Sequence, residues 1–318
     1  MSSTAAVEQV PLSPFRGRPP SDVAYQTAYG RMIQGLSDEL LRSGALEKFE
    51  GKVNLVFTSP PFPLNRKKRY GNKNGQDYIE WLSAYGPLLK RMLTPDGSIV
   101  MEIGNAWEQG SPVMSTLPIR SLLRFQEDND LHLCQEFVWH NSAKLPTPAQ
   151  WVNVERLRVK DNFTKIWWMS PTAKPKADNR RVLQEYSKSM KDLLNSGKYN
   201  SGKRPSEHHI GEQSFLSNNG GAIPGSVLTF ANTQANDEYQ RYCREHQIVP
   251  HPARMPIKLA GFFVRMLTDP GDLVLDPFAG SNTTGAAAER LGRYWLAIEA
   301  EESYVLGSAG RFPDLITA

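Results

Sequence analysis

The chain has 318 residues, 40% of them hydrophobic, with a formal net charge of +4 and two cysteines. That is enough apolar content for one large domain, or for a core carrying a smaller insert, while no apolar run approaches the roughly 20 residues a membrane helix needs. Cys134 and Cys243 form neither a CxxC pair nor a disulfide framework, so a cytoplasmic protein with reduced thiols and no zinc site is the simplest expectation.

Residues 1–23 carry Ser, Pro and Arg in place of an apolar core, so they are not expected to form a secretory signal and read as a loosely tied tail. Residues 53–57 predict a buried strand, stopped by Thr58-Ser59-Pro60-Pro61. Residues 76–93 carry Tyr78, Trp81, Leu82, Tyr85, Leu88, Leu89 and Met92 at helical spacing. Thr94-Pro95-Asp96-Gly97 signals a turn before a strand at 98–103. A helix at 118–125 and strands at 131–139 and 163–169 follow, the strands separated by a Pro-rich crossing. From 170 to 249 Gly, Asn, Ser, Pro and Lys dominate, and only 182–194 reads as helical. A stretch this long without structure suggests an insertion with its own task. Beyond it come a helix at 255–267, a short strand at 273–275, a loop entering a helix that ends near 291, a strand at 294–298 and a helix at 301–308. Strands and helices alternating in this way predict an α/β domain with a mostly parallel sheet.

Two turns carry chemistry. The first, Thr58-Ser59-Pro60-Pro61-Phe62, leaves a buried strand through two prolines that lack N–H donors, so it presents acceptors. The Ser59 hydroxyl and the Pro60 carbonyl could accept the two N–H groups of an exocyclic amine and aim its lone pair. Phe62 offers a flat face for an extruded base. The bland alternative is a plain strand terminator. The second turn, Asp276-Pro277-Phe278-Ala279-Gly280-Ser281-Asn282-Thr283-Thr284-Gly285, joins a strand to a helix with small residues, as ligand loops at the carboxyl edge of open sheets do. It is neither GxGxxG nor a phosphate loop, which disfavours a dinucleotide and suits S-adenosylmethionine (AdoMet). Glu299, ending the next strand, suits a carboxylate that accepts ribose hydroxyls. An ordinary capped turn is the alternative.

Charge is unevenly spread. Between Lys174 and Arg204 nine Lys and Arg face three acids, a local +6 against +4 for the whole chain. This is either a solvated loop or a phosphate-contacting region. Arg66, Lys67, Lys68 and Arg69 directly follow the first turn and favour phosphate contact over a solvated run. His208 and His209 lack further ligands at tetrahedral spacing and read as DNA contacts or solvated residues.

The two turns in this order resemble the beta class of bacterial DNA amino-methyltransferases. The likeness extends through Arg66-Lys67-Lys68-Arg69-Tyr70-Gly71, Pro95-Asp96-Gly97-Ser98, Ser142-Ala143-Lys144-Leu145-Pro146, Trp151-Val152-Asn153 and Arg158-Val159-Lys160-Asp161. It continues through Trp167-Trp168, Asn219-Gly220-Gly221 and His251-Pro252-Ala253-Arg254. The resemblance implies a Rossmann-like AdoMet-dependent core with a seven-stranded, mostly parallel sheet, circularly permuted motif order and an inserted target-recognition region. By it, residues 1–170 hold the catalytic half of the core, 171–249 the recognition region and 250–318 the AdoMet half. Asp276, Phe278, Gly280, Ser281, Asn282 and Thr283 would line the AdoMet pocket, Glu299 would bind the ribose, and His251 and Pro252 would close over the methionine end. Ser59, Pro60, Pro61 and Phe62 would handle the flipped base. Arg180, Arg181, Lys203, Arg204, His208 and His209 would join Arg66–Arg69 on double-stranded DNA.

Serine in the first catalytic position is typical of the cytosine-N4 branch of that class. The implied setting is a nucleoid-associated cytoplasmic enzyme with a cognate restriction endonuclease, or an orphan enzyme, and no metal. One departure is visible: the family's Gly-Asp pattern after the N-terminal strand reads Gln34-Gly35-Leu36-Ser37-Asp38 here, leaving the adenine contact unassigned. Adenine-N6 and RNA methyltransferases share these motifs, and a DNA-binding protein with a vestigial AdoMet pocket would keep the basic insert.

Overall fold

The structure, a computed structural model, describes residues 23–62, 75–197, 202, 203, 205, 209, 210, 216–232, 237–313 and 315. The tail at 1–22 and the expected DNA contacts Arg66, Lys67, Lys68, Arg69, Arg204 and His208 lie outside these described residues.

In chain order, β1 (Val23–Gln26), β2 (Gly30–Gln34), α1 (Ser37–Arg42) and β3 (Val53–Thr58) come first. They are followed by α2 (Gly75–Ser83), α3 (Gly86–Met92), β4 (Leu93–Ile103), β5 (Ala106–Trp107), β6 (Met114–Ser115), α4 (Leu117–Asp128), β7 (His132–His140) and β8 (Phe163–Ser170). Then come α5 (Lys188–Ser196), β9 (Gly202–Lys203), β10 (His209–Ile210), β11 (Val227–Thr229) and α6 (Glu238–Glu245). The chain closes with α7 (Ile257–Leu267), β12 (Leu273–Asp276), α8 (Thr283–Arg290), β13 (Tyr294–Glu299) and α9 (Glu302–Ser308).

The chain divides into two compact units, residues 178–225 and the remainder. In the larger unit nine strands form one sheet in the order β1-β2-β13-β12-β3-β4-β8-β7-β11. The run from β2 to β4 is parallel, β8 is antiparallel to both its neighbours, and β1 is antiparallel to β2. The sheet is thus the seven strands the family resemblance implies, widened by the short edge strands β1 and β11. Each central strand is buried on both faces, as parallel strands are when helices cover them. Along β12 and β13, Leu273, Leu275, Tyr294, Leu296 and Ile298 join the core beneath Tyr78, Leu82, Leu89 and Phe125. On the other face Phe57 of β3 packs on Phe263 of α7, with ring centroids 5.3 Å apart. Gly30 has no side chain because Trp295 occupies that space.

Three departures from the sequence expectations have local causes. The helix expected over 76–93 is broken between α2 and α3. Pro87 sits at the start of α3 and cannot donate to the preceding turn; the Asn129 amide donates to the orphaned Ser83 carbonyl at 3.1 Å instead, packed so close that Gly86 admits no larger residue. The helix expected over 182–194 begins only at Lys188, where Ser187 caps it by accepting from Met190 N–H at 3.2 Å. Ahead of it Gln184 and Ala222 exchange both backbone hydrogen bonds. Finally, residues 226–249, expected within the insert, belong to the larger unit. There β11 extends the sheet alongside β7, and α6 buries Tyr239 and Cys243 on one face.

Candidate active site

Parallel strands all deliver their carboxyl ends to one edge of the sheet, where open α/β sheets bind ligands. A cleft of about 570 Å³ lies there. It is reached by Ser59 after β3, Glu102 near the end of β4, Asp276 ending β12, Glu299 ending β13 and Gly35 after β2. Because β8 runs the other way, its start brings Phe163 and Thr164 to the same edge, together with Asn141 after β7.

The Ser59 turn is fixed from both sides. The Ser59 hydroxyl donates to Glu102 Oε2 at 2.6 Å. Glu102 is only 3% exposed, and that burial raises its pKa, offset in part by the Ser59 hydroxyl. One residue earlier, the Thr58 hydroxyl donates to Asp276 Oδ1 at 2.8 Å. Asp276 also accepts from the Thr284 hydroxyl at 2.6 Å and the Phe278 N–H at 3.1 Å, while burial holds its pKa up at about 6. Asp276 therefore ties the serine turn to the glycine loop. Pro60, Pro61 and Phe62 line the cleft, and a side chain at Gly104 would press on the Phe62 ring at 3.1 Å.

The glycine loop wraps around Glu299. Its Oε2 accepts from Gly280 N–H at 2.7 Å and its Oε1 from Glu301 N–H at 2.9 Å. Burial raises the Glu299 pKa, against those two backbone donors. Each oxygen keeps a lone pair for a further donor. Gly280 sits at φ 51, and a Cβ there would lie 3.1 Å from the His251 ring. The His251 ring stands edge-on to Tyr304 with centroids 4.5 Å apart, and the His251 backbone N–H donates to the Tyr239 hydroxyl at 2.7 Å. Arg311, buried beside Tyr239, donates through Nε to the Ser281 carbonyl at 2.6 Å and through Nη2 to the Ser281 hydroxyl at 3.1 Å. Desolvation lowers its pKa to about 10 despite the charge of Asp237. Asp237 also caps α6 and pairs with Arg254 at 3.3 Å. Phe278 closes an aromatic wall with Tyr85 and Trp81, at centroid separations of 5.0 and 5.7 Å.

The cleft thus gathers Ser59, Pro60, Pro61, Phe62, Asp276, Phe278, Gly280, Ser281, Thr283, Glu299, His251 and Pro252. Asn282, expected to touch the cofactor, turns into the fold instead. At φ 53 it caps α8 by accepting from Gly285 N–H at 3.1 Å, and its amide donates to the Tyr25 hydroxyl at 3.1 Å. Asp38 lines the cleft although Leu36 and Ser37 interrupt the Gly-Asp pattern. Within the smaller unit, Arg180 and Arg181 both meet Asp178, at 2.8 and 3.7 Å, so part of that basic charge is locally balanced. Lys203 and His209 are backbone register partners in the antiparallel β9–β10 ribbon. Lys176, counted in the basic run, instead clamps Asp269 and Asp272 at 2.8 and 2.6 Å.

Sequence reasoning passed over Glu102, Tyr239, Asp237 and Arg311. Glu102 sits inside an apolar strand, and the other three depend on a short helix that is mostly charged and polar, with few apolar residues to mark it. Among the described residues no helix is long and apolar enough to cross a membrane, and no group of His, Cys, Asp and Glu could hold a metal ion.

Comparison with known proteins agrees with this geometry. The N6_N4_Mtase family, described as DNA methylase, matches residues 53–309. The type II methyltransferase M.PvuII of Proteus hauseri is 44% identical over 293 residues, covering 92% of this chain and 86% of that protein. The type II methyltransferase M.BglII of Bacillus subtilis is 27% identical, covering 80% of this chain and 62% of that one. Among solved structures, the PvuII DNA methyltransferase (cytosine-N4-specific) superposes with a TM-score of 0.73 at 39% identity, over 92% of this chain and 89% of that one. The M1.HpyAVI–SAM complex shares the fold at a TM-score of 0.51 and 19% identity, over 89% of this chain and 98% of that one. The chain belongs to the DNA methylase family.

Proposed function

We propose that this protein transfers a methyl group from AdoMet to the N4 amine of a cytosine flipped out of double-stranded DNA. The observation that carries the reading is the Ser59–Glu102 hydrogen bond in a cleft shared with the Gly280–Glu299 cradle. The substrate follows from the relatives, since the 39% identical structure is named cytosine-N4-specific and the serine turn is typical of that branch.

AdoMet suits the residues present. A cleft of about 570 Å³ lies within the range that holds small ligands. The space where a Gly280 Cβ would sit lets a ligand approach the backbone. Glu299 has acceptor capacity for ribose hydroxyls, and the Phe278 wall offers an apolar face to an adenine. When bound, AdoMet supplies a sulfonium-activated methyl whose sulfur departs as a neutral thioether.

The chain's own groups then do the positioning. Ser59 donates its only proton to Glu102, so its oxygen lone pairs are left to accept an N–H of the amine. The Pro60 carbonyl takes the other. Together they favour a pyramidal nitrogen whose lone pair forms the new N–C bond. The nitrogen then sheds one proton, which passes to water or through the Ser59 hydroxyl to Glu102. Phe62, seated over Gly104, provides the face against which the flipped base stacks. No covalent adduct between enzyme and base is required.

The 178–225 unit is the proposed target reader, with Arg180, Arg181, Lys203, Arg204, His208 and His209 on DNA and Arg66–Arg69 on phosphates near the catalytic turn. Both curated relatives are named type II methyltransferases, which supports a cytoplasmic role alongside an endonuclease of the same specificity. The test is tritium transfer from labelled AdoMet to unmethylated bacterial duplex DNA. Transfer by the wild-type protein and its loss in Ser59→Ala support the reading. A protein that binds DNA without transferring tritium is a vestigial methyltransferase.

A further inference from the structure

The crossing from β7 to β8 contains an arginine that the proposed chemistry leaves unused. Between Lys144 and Lys160 four cations, Lys144, Arg156, Arg158 and Lys160, face one acid, Glu155. The crossing starts and ends at the cleft, which Asn141, Lys144 and Asn162 line. Its two ends are tied together, with Lys160 Nζ donating to the Lys144 carbonyl at 3.4 Å and Lys144 meeting Asp161 at 3.6 Å. Asp161 in turn accepts from the Asn105 amide at 2.8 Å, which anchors the crossing to the end of β4.

Within this segment the Arg158 guanidinium sits over Trp107, its carbon 3.3 Å from the ring centroid. Its Nε, Nη1 and Nη2 are all buried, and none has a hydrogen-bond partner among the described residues. A guanidinium carries five N–H donors that cannot be removed by deprotonation, and buried donors without acceptors are costly. Native proteins complete such groups with a ligand or water. Arg158 is not part of the cleft lining, so neither the cofactor nor the target base is the natural acceptor. The chain beside it is exposed, Leu157 by 62% and Val159 by 87%, so a large partner can approach this edge.

We propose that Arg158, held over the Trp107 ring, clamps a phosphodiester of the DNA strand that carries the flipped base. The fork geometry of a guanidinium matches a phosphate bidentately. The net positive charge of the crossing supplies the complementarity, and its attachment to the cleft places the clamp beside the target nucleotide. The inference rests on the DNA methyltransferase reading.

The test is the salt dependence of equilibrium binding to a duplex fragment of unmethylated bacterial DNA, followed by fluorescence anisotropy, for wild type, Arg158→Ala, Arg158→Gln and Arg158→Lys. Each phosphate contact contributes about 0.9 to the slope of log K against log salt. The alanine and glutamine variants should therefore lose about 0.9 of slope. Between about 50 and 200 mM salt they should forfeit roughly 3.5-fold less affinity than wild type. Arg158→Lys should keep the slope, and AdoMet affinity should be unchanged in all three. Variants that keep the wild-type slope, whatever their affinity or melting temperature, would make Arg158 a packing partner of Trp107 and overturn the clamp alone. A wild-type protein that binds no duplex would overturn both the clamp and the methyltransferase reading.

Discussion

Ser59→Ala and Glu102→Gln, alone and together, probe the arrangement at its centre. Alanine removes the proton that Ser59 gives to Glu102 at 2.6 Å and the oxygen proposed to accept the amine. Losing one preorganised polar contact to a transition state typically costs about 10²–10³ in kcat, or about 2.7–4 kcal/mol. A buried carboxylate stripped of a charge-assisted partner adds a stability cost of about 1.5–3 kcal/mol. Glutamine keeps the shape of Glu102 but can offer Ser59 a donor, which would occupy the lone pairs the amine needs. Glu102→Gln should therefore slow transfer at least about tenfold, by the same logic of a misdirected contact. If Glu102 acts through Ser59, the double variant should be about as slow as Ser59→Ala, because residues acting as a unit are not additive. Single-turnover transfer from tritiated AdoMet reads the rate, and calorimetry checks that AdoMet affinity stays put. Full activity in Ser59→Ala, or a double variant whose loss is the product of the two single losses, would refute the reasoning.

Asp276 makes stability depend on pH. Its pKa stands at about 6 in the fold against an ordinary 3.8, so the unfolded chain binds fewer protons between those values and stability falls as pH rises from about 4 to about 6. The size is on the order of 3 kcal/mol. The melting-temperature advantage of wild type over Asp276→Asn should shrink by several degrees over that window; a difference independent of pH would contradict the assignment. Gly280→Ala places a Cβ 3.1 Å from His251 at φ 51, with a left-handed penalty of about 1–2 kcal/mol. That penalty lowers stability; because the added methyl fills space beside the backbone that a ligand would use, AdoMet affinity should fall as well, by about tenfold for each ~1.4 kcal/mol of lost contact, and unchanged affinity by calorimetry would show that the cradle tolerates a side chain. Glu299→Gln exchanges a charged acceptor for a neutral amide and should weaken AdoMet about tenfold or more, whereas unaltered binding would remove Glu299 from the ribose site.

The two turns were legible because their chemistry is local. Two prolines ending an apolar strand, and an acid followed by small residues before a helix, announce themselves within ten residues. Helix and strand positions in the central sheet followed from apolar runs for the same reason. Glu102 was hidden because its partner lies 43 residues away in sequence and its own surroundings read as uninterrupted strand. Helix α6 was hidden because it is short and mostly polar, burying Tyr239 and Cys243 among charged neighbours, and it lies in a stretch rich in polar residues. With it went Tyr239, which holds the His251 backbone, and the Asp237, Arg254 and Arg311 network that holds Ser281. Asn282 reads as a loop residue beside a ligand; only its φ of 53 and its bond to Tyr25 reveal a cap. The break at Pro87, by contrast, was written in the sequence, and the strong periodicity on either side concealed it.

The identity of the methylated base tests the central claim most directly. Unmethylated bacterial genomic DNA would be incubated with the protein and AdoMet, digested to nucleosides and resolved by mass spectrometry. N4-methylcytosine is the expected product, absent when Ser59→Ala replaces the wild-type protein. N6-methyladenine in its place would contradict the substrate drawn from the serine turn while keeping the fold and the chemistry, and the absence of any methylated nucleoside would contradict the enzyme itself.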